Sequence, residues 1–103
     1  MGSRQLQVVW SAQARLALDE AVAYVAEDSP TAAIQLLEQA LAAGVSLRDM
    51  NERGRVVPEA SDSDVREIFV QRYRLIYEVS EREVRVLAFL HGARDFAKWQ
   101  RDE

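Results

Sequence analysis

The stretch Arg66–Phe96, REIFVQRYRLIYEVSEREVRVLAFLHGARDF, constrains this chain more than any other. It reads as three consecutive short strands that end in a polar corner, His91-Gly92-Ala93-Arg94-Asp95. The first strand, Val65–Gln71, holds Ile68, Phe69 and Val70. The second, Tyr73–Val79, alternates Tyr73, Leu75, Tyr77 and Val79 with Arg74, Ile76 and Glu78. The third, Glu83–Leu90, alternates Val84, Val86, Ala88 and Leu90 with Arg85, Leu87 and Phe89. A period of two, rich in β-branched and aromatic residues, predicts strand rather than helix. The Ser80-Glu81-Arg82 break suits a tight hairpin, though without the Asn-Gly of the strongest hairpin turns. Both alternating sets of the last two strands contain apolar residues, so the sheet is expected to be covered, at least in part, on both faces.

Upstream, Leu6–Trp10 is a further short strand, and Ser11 after it is placed to cap a helix. Ala14, Leu18, Ala21, Val22 and Val25 then fall at helical spacing, predicting a helix that ends near Glu27-Asp28. Ser29-Pro30 restarts the chain with a capping hydroxyl followed by proline at the first helical position. Ile34, Leu37, Leu41 and Leu47 give this second helix its expected apolar stripe, and its alanines favour helix and close packing. The two helices form an antiparallel hairpin that needs a sheet to lie on. Asn51–Asp64 reads as a connecting loop marked by Gly54, Pro58 and Ser61-Asp62-Ser63-Asp64, and 96–103 as a tail with one helical turn. The predicted order is β-α-α-β-β-β. This is a two-layer α+β fold with the helical hairpin on one face of a mainly antiparallel sheet, and the N-terminal strand at an edge or beside a late strand.

The 103 residues are read as one domain, 1–103, with residues 1–5 as a tag remnant or a disordered lead. There is no cysteine, which excludes disulfides and thiolate metal sites and agrees with a cytoplasmic location. No apolar run approaches the roughly 20 residues of a membrane span. The balance is acidic, 13 Lys+Arg against 17 Asp+Glu, which argues against broad electrostatic attachment to nucleic acid. The cations are unevenly spread. Residues 51–103 hold ten of them, nine arginine, the residue suited to bidentate grips on carboxylate or phosphate. A GC-rich genome would also favour arginine.

With one histidine and no cysteine, no metal or cofactor site is expected. There is no glycine-rich phosphate loop and no G-x-S-x-G. Arg74 inside a strand and Arg94 beyond the last one could converge on one face to hold a phosphate or a carboxylate. The alternative is internal pairing, of Arg74 with Glu67 or Glu78 and of Arg94 with Asp95. His91 could serve as general acid or base, or be a hydrogen-bonded corner residue. Tyr73, Tyr77, Phe69 and Phe89 read as core rather than as platforms for bases. Trp99, near Lys98, Gln100 and Arg101, is either packed on the sheet or offered to a partner.

Taken together, Gly54-Arg55-Val56-Val57-Pro58-Glu59, Arg66-Glu67-Ile68, Arg72-Tyr73-Arg74-Leu75-Ile76-Tyr77, Val86–Leu90 and His91-Gly92-Ala93-Arg94-Asp95 resemble the RelE/ParE toxin superfamily, its ParE branch most of all. Val9-Trp10-Ser11 with Ala14 and Leu18, and the hairpin starting at Pro30, fit the same pattern. The resemblance implies the toxin of a type II toxin–antitoxin pair, bound by a cognate antitoxin of ribbon-helix-helix type. Two actions live on such a scaffold. ParE-like members block DNA gyrase through a protein surface, without enzymatic chemistry. RelE-like members cut ribosome-bound messenger RNA, and the matching positions here would be Arg74 and Arg94, with His91 a further candidate. The tyrosine that RelE-like chains carry beyond the second arginine has no counterpart in Asp95–Gln100, which favours gyrase. Antitoxin contacts are expected at Arg55, Arg66, Arg72 and Arg74, and target contacts at His91, Arg94, Lys98 and Trp99.

Overall fold

The computed structural model describes residues 6–60, 64–94 and 96–101, with backbone alone at 99–101. The 1–5 lead, Ser61-Asp62-Ser63 and Asp95 lie outside the described residues. The elements are β1 (Gln7–Trp10), α1 (Ala12–Ala26), α2 (Pro30–Ser46), β2 (Arg55–Val56), β3 (Val65–Val70), β4 (Tyr73–Val79), β5 (Glu83–His91) and α3 (Phe96–Arg101). They form one five-stranded sheet in the order β1-β5-β4-β3-β2. Strand β1 pairs parallel with β5 at one edge, and every other pairing is antiparallel. This is the expected α+β arrangement, with β1 beside the last strand.

Local chemistry accounts for the helix starts. The Ser11 hydroxyl accepts the Ala14 N–H at 3.1 Å, and Ser29 does the same for Ala32 at 3.1 Å, with Pro30 opening the helix. Each hydroxyl satisfies one of the amides that a helix leaves without an internal partner. In α1 the buried residues are Ala14 and Leu18, with Ala21, Val22 and Val25 packed beside them, as the spacing predicts.

Helix α2 is rotated from expectation. Its buried side is Ala33, Leu36, Ala40 and Gly44, and Leu47 at its C-cap is fully buried as expected, while Ile34 is 58% exposed. Small residues win the inner face because the neighbours come so close. A Cβ on Gly44 would stand 3.1 Å from the indole Nε1 of Trp10. Leu37 and Leu41 flank the core instead of centring it.

The sheet is covered on both faces. Under the helices lie Ile68, Val70, Leu75, Tyr77, Val84, Val86 and Phe89. On the far face a second cluster gathers Val57, Val65, Ile76, Ala88, Leu90 and Phe96. Strand β5 does not keep its alternation. Ile76 faces Ala88 but Tyr77 faces Val86, so Leu87 has no opposite partner. This bulge moves Phe89 to the helix face and leaves Ala88 and Leu90 on the other. One small element was not anticipated, β2, inside the predicted loop; the helical turn expected in the tail is α3, whose Phe96 joins the second cluster.

Candidate functional site

The far face of the sheet carries a ladder of charges. Arg74, central on β4, lies between Phe69 of β3 and Leu90 of β5 and is only 5% exposed. A guanidinium so placed must be paired, because an unpartnered buried charge is very costly. Its Nε donates to Glu67 Oε1 at 2.6 Å. Its Nη1 and Nη2 donate to the two oxygens of Glu59, each at 2.8 Å, a bidentate grip. Nη1 also donates to the Arg94 carbonyl at 2.9 Å. Fully buried Glu67 turns its second oxygen to Arg55 Nε at 2.5 Å. Glu59 also accepts the Phe96 N–H at 3.2 Å. Two arginines and two glutamates thus neutralise one another from β2 to the start of α3. The hydrogen bonds from Arg74 hold the Glu59 carboxyl at about 2 despite burial, and Glu59, ahead of Glu67, raises Arg74 above its ordinary value.

Of the two arrangements read from the sequence for Arg74, convergence with the Arg94 guanidinium and internal pairing, the structure has the second. Arg94 approaches Arg74 through its backbone carbonyl, and its own side chain is exposed. Arg74 pairs internally with Glu67, one of the two pairings read from the sequence, and with Glu59, which the sequence reading did not connect to it. Its buried guanidinium already faces two carboxylates and a backbone carbonyl.

His91 ends β5 on the surface. Its Nδ1 accepts the Ala93 N–H at 3.4 Å, and its ring stands edge-on to Tyr73 at 5.8 Å. Lys98 is exposed on α3, whereas the Trp99 side chain lies outside the described residues. The remaining arginines named for the antitoxin do not share one patch. Arg55 is largely exposed and lies 5.7 Å over the Phe69 ring on the far face. Arg66 is half-buried beside Tyr77 on the helix face and donates to the Gly54 carbonyl at 2.8 Å. Arg72 is exposed in the β3–β4 hairpin.

Among the aromatics read as core, Tyr77 and Phe89 are buried and Tyr73 stacks on Phe89 at 5.0 Å. Phe69 is the exception, 57% exposed. Its neighbours on that side of β3, Val65 and Glu67, are both buried, so the local pattern does not mark it. Other apolar side chains face outward on the helices: Leu16, Tyr24, Ile34 and Val45. Between β1 and α2 runs an open groove lined by Leu6, Val8, Trp10, Leu41, Val45 and Arg48. β1 is an edge strand of the sheet, so the groove runs along that edge. Among the described residues no group of three or more carboxylates and histidines could hold a metal, and no helix is long and apolar enough to cross a membrane.

No curated protein sequence matches the chain. Its fold is similar to that of a solved chain of the chromosomal ParDE TA system from P. aeruginosa, with a TM-score of 0.69. That match covers 86% of this chain and 98% of the other at 18% identity, a likeness of fold. The family described as "ParE toxin of type II toxin-antitoxin system, parDE" matches residues 8–96, spanning both helices, the whole sheet and the ladder. The chain belongs to the ParE toxin family.

Proposed function

We propose that this chain is a toxin that inhibits DNA gyrase by binding it and is held inactive by a cognate antitoxin. The observation that carries this reading is the pairing of buried Arg74 with the two carboxylates of Glu59 and Glu67. Cleaving a phosphodiester requires cations free to meet the charge that develops on the phosphate, and a group to protonate the leaving oxygen. The strand arginine that would supply the first is already neutralised. That supports an action through surface complementarity rather than bond breaking.

The target-facing surface in this reading is the corner and C-terminal helix, with His91, Arg94, Lys98 and Trp99. The antitoxin lies elsewhere, its apolar side chains in the groove of Val8, Trp10, Leu41 and Val45. A strand added along the β1 edge, or an amphipathic helix on the outer stripe of α2, would fill it. Arg48, which lines the groove, would meet a carboxylate of the antitoxin and set its register, whereas Arg55 on β2 stands at the opposite edge of the sheet and lies outside this surface. Because gyrase works on the chromosome, the action is cytoplasmic.

Supercoiling and DNA-cleavage assays with purified gyrase test the proposal. Folded toxin at micromolar concentration should inhibit supercoiling and accumulate broken DNA, and added antitoxin should reverse both. Absence of inhibition, together with cleavage of translated message seen by primer extension, would replace it with the ribosomal reading.

A further inference from the structure

We infer that Glu59 and Arg74 are positioning residues that clasp the C-terminal helix in its target-facing place. This inference rests on the gyrase reading for its consequence, but not for its geometry. Helix α3 is six residues long, too short to be stable by itself in water. Two attachments hold its start. One is apolar: Phe96 is 3% exposed and packs into the far-face cluster with Val57, Ala60, Leu87 and Leu90. The other is polar. The Glu59 carboxylate accepts the Phe96 N–H, while Arg74, bound to that same carboxylate, grips the Arg94 carbonyl just before the helix. The backbone on both sides of residue 95 is thus tied to one ion pair.

The ion pair in turn stands on rigid ground. Arg74 is fixed by Glu67 from β3, within the most extensively paired part of the sheet. Glu59 comes from the segment just after β2, on the opposite side of the sheet from α3's parent strand, β5. The clasp therefore reaches across the far face from the β2 side to the end of β5. The groove between β1 and α2 shares none of these residues, so loosening the clasp should spare that groove.

The test combines amide exchange, antitoxin affinity and gyrase inhibition on three proteins: the full chain, Glu59→Gln and Phe96→Ala. Glu59→Gln keeps the shape of the side chain but removes its charge, and Phe96→Ala removes the apolar anchor and leaves the ion pair. Both variants should exchange amides over 96–101 at least about tenfold faster, with β4 amides as slow as in the parent. Both should lose about tenfold or more in gyrase inhibition while antitoxin affinity stays within about twofold. A Glu59→Gln protein with unchanged exchange over 96–101 would overturn the inference. So would faster exchange with undiminished inhibition, or a parallel loss of antitoxin affinity, which would mark a general structural defect. If the parent chain does not inhibit gyrase, the functional reading fails, and the exchange measurement alone decides whether the clasp exists.

Discussion

The Tyr77 hydroxyl accepts a hydrogen bond from the Gly54 amide at 2.9 Å, joining the middle of the sheet to the segment entering β2. Tyr77 is fully buried, and burial pushes its hydroxyl up from its ordinary value. A Cβ on Gly54 would stand 2.6 Å from both that oxygen and the Glu67 carbonyl. Neither can give way easily, since one belongs to a buried ring and the other to a strand backbone. Gly54→Ala should therefore destabilise the protein by about 2–4 kcal/mol. Tyr77→Phe, which leaves the amide unpaired, should cost about 1–2 kcal/mol. Urea denaturation measures both, and an alanine at 54 without a lowered midpoint would refute the packing argument.

Acid should act on the Glu59–Arg74 pair. The folded-state value for Glu59, about 2, lies below the ordinary 4.5. Its pairing therefore stabilises the fold fully above 4.5 and is lost as pH falls towards 2. The side chain is 25% exposed, so solvent screening reduces the contribution to about 1–2 kcal/mol. The stability gap between the parent and Glu59→Gln should be widest near neutral pH and shrink steadily through the acid range. Chemical denaturation at a series of pH values reads it, and a gap independent of pH would show that the carboxylate's charge contributes nothing.

Much of this architecture was legible beforehand, and the exceptions share a cause. The serine caps and the three-strand run depend on neighbours in sequence, so Ser11, Ser29 and the period of two announced them. The outer and inner faces of α2 could not be told apart, because Ile34 and Leu36 are equally apolar. The difference lies in the close approach of Trp10, whose indole leaves little room for a side chain at Gly44. The bulge at Leu87 is invisible in an unbroken apolar run. Arg74 could be seen to want a carboxylate, but Glu59 is 15 residues away in a predicted loop, and loop positions are set by the packing of the whole.

Gln71 is the sole non-glycine with a positive φ among the described residues, at 55°, in the two-residue loop between β3 and β4. That region disfavours side chains with a Cβ by about 1 kcal/mol. Its hydrogen bond to Gln39 is exposed and returns only a fraction of this. Gln71→Gly should raise stability by about 0.5 kcal/mol, seen as a higher denaturation midpoint with the same slope. A lower midpoint would mean that the Gln39 contact matters more than the backbone.

Leu36 and Ile34 make a paired comparison on one helix. Leu36 is fully buried, so Leu36→Ala should cost about 2–5 kcal/mol. Ile34→Ser should change stability by less than about 0.5 kcal/mol and yet weaken antitoxin binding by about tenfold. Calorimetric titration against the antitoxin checks the second half, and unaltered affinity would remove this stripe from the proposed interface.

The parallel pairing of β1 with β5 has a bearing on the chain's birth. The Ser11 hydroxyl bonds to the Leu87 carbonyl, 76 positions later, and the Ser11 amide reaches Val86. A nascent polypeptide cannot close that pairing until β5 has left the exit tunnel, and contacts so distant in sequence form late. The fold is withheld until the strand made last is free to receive the one made first.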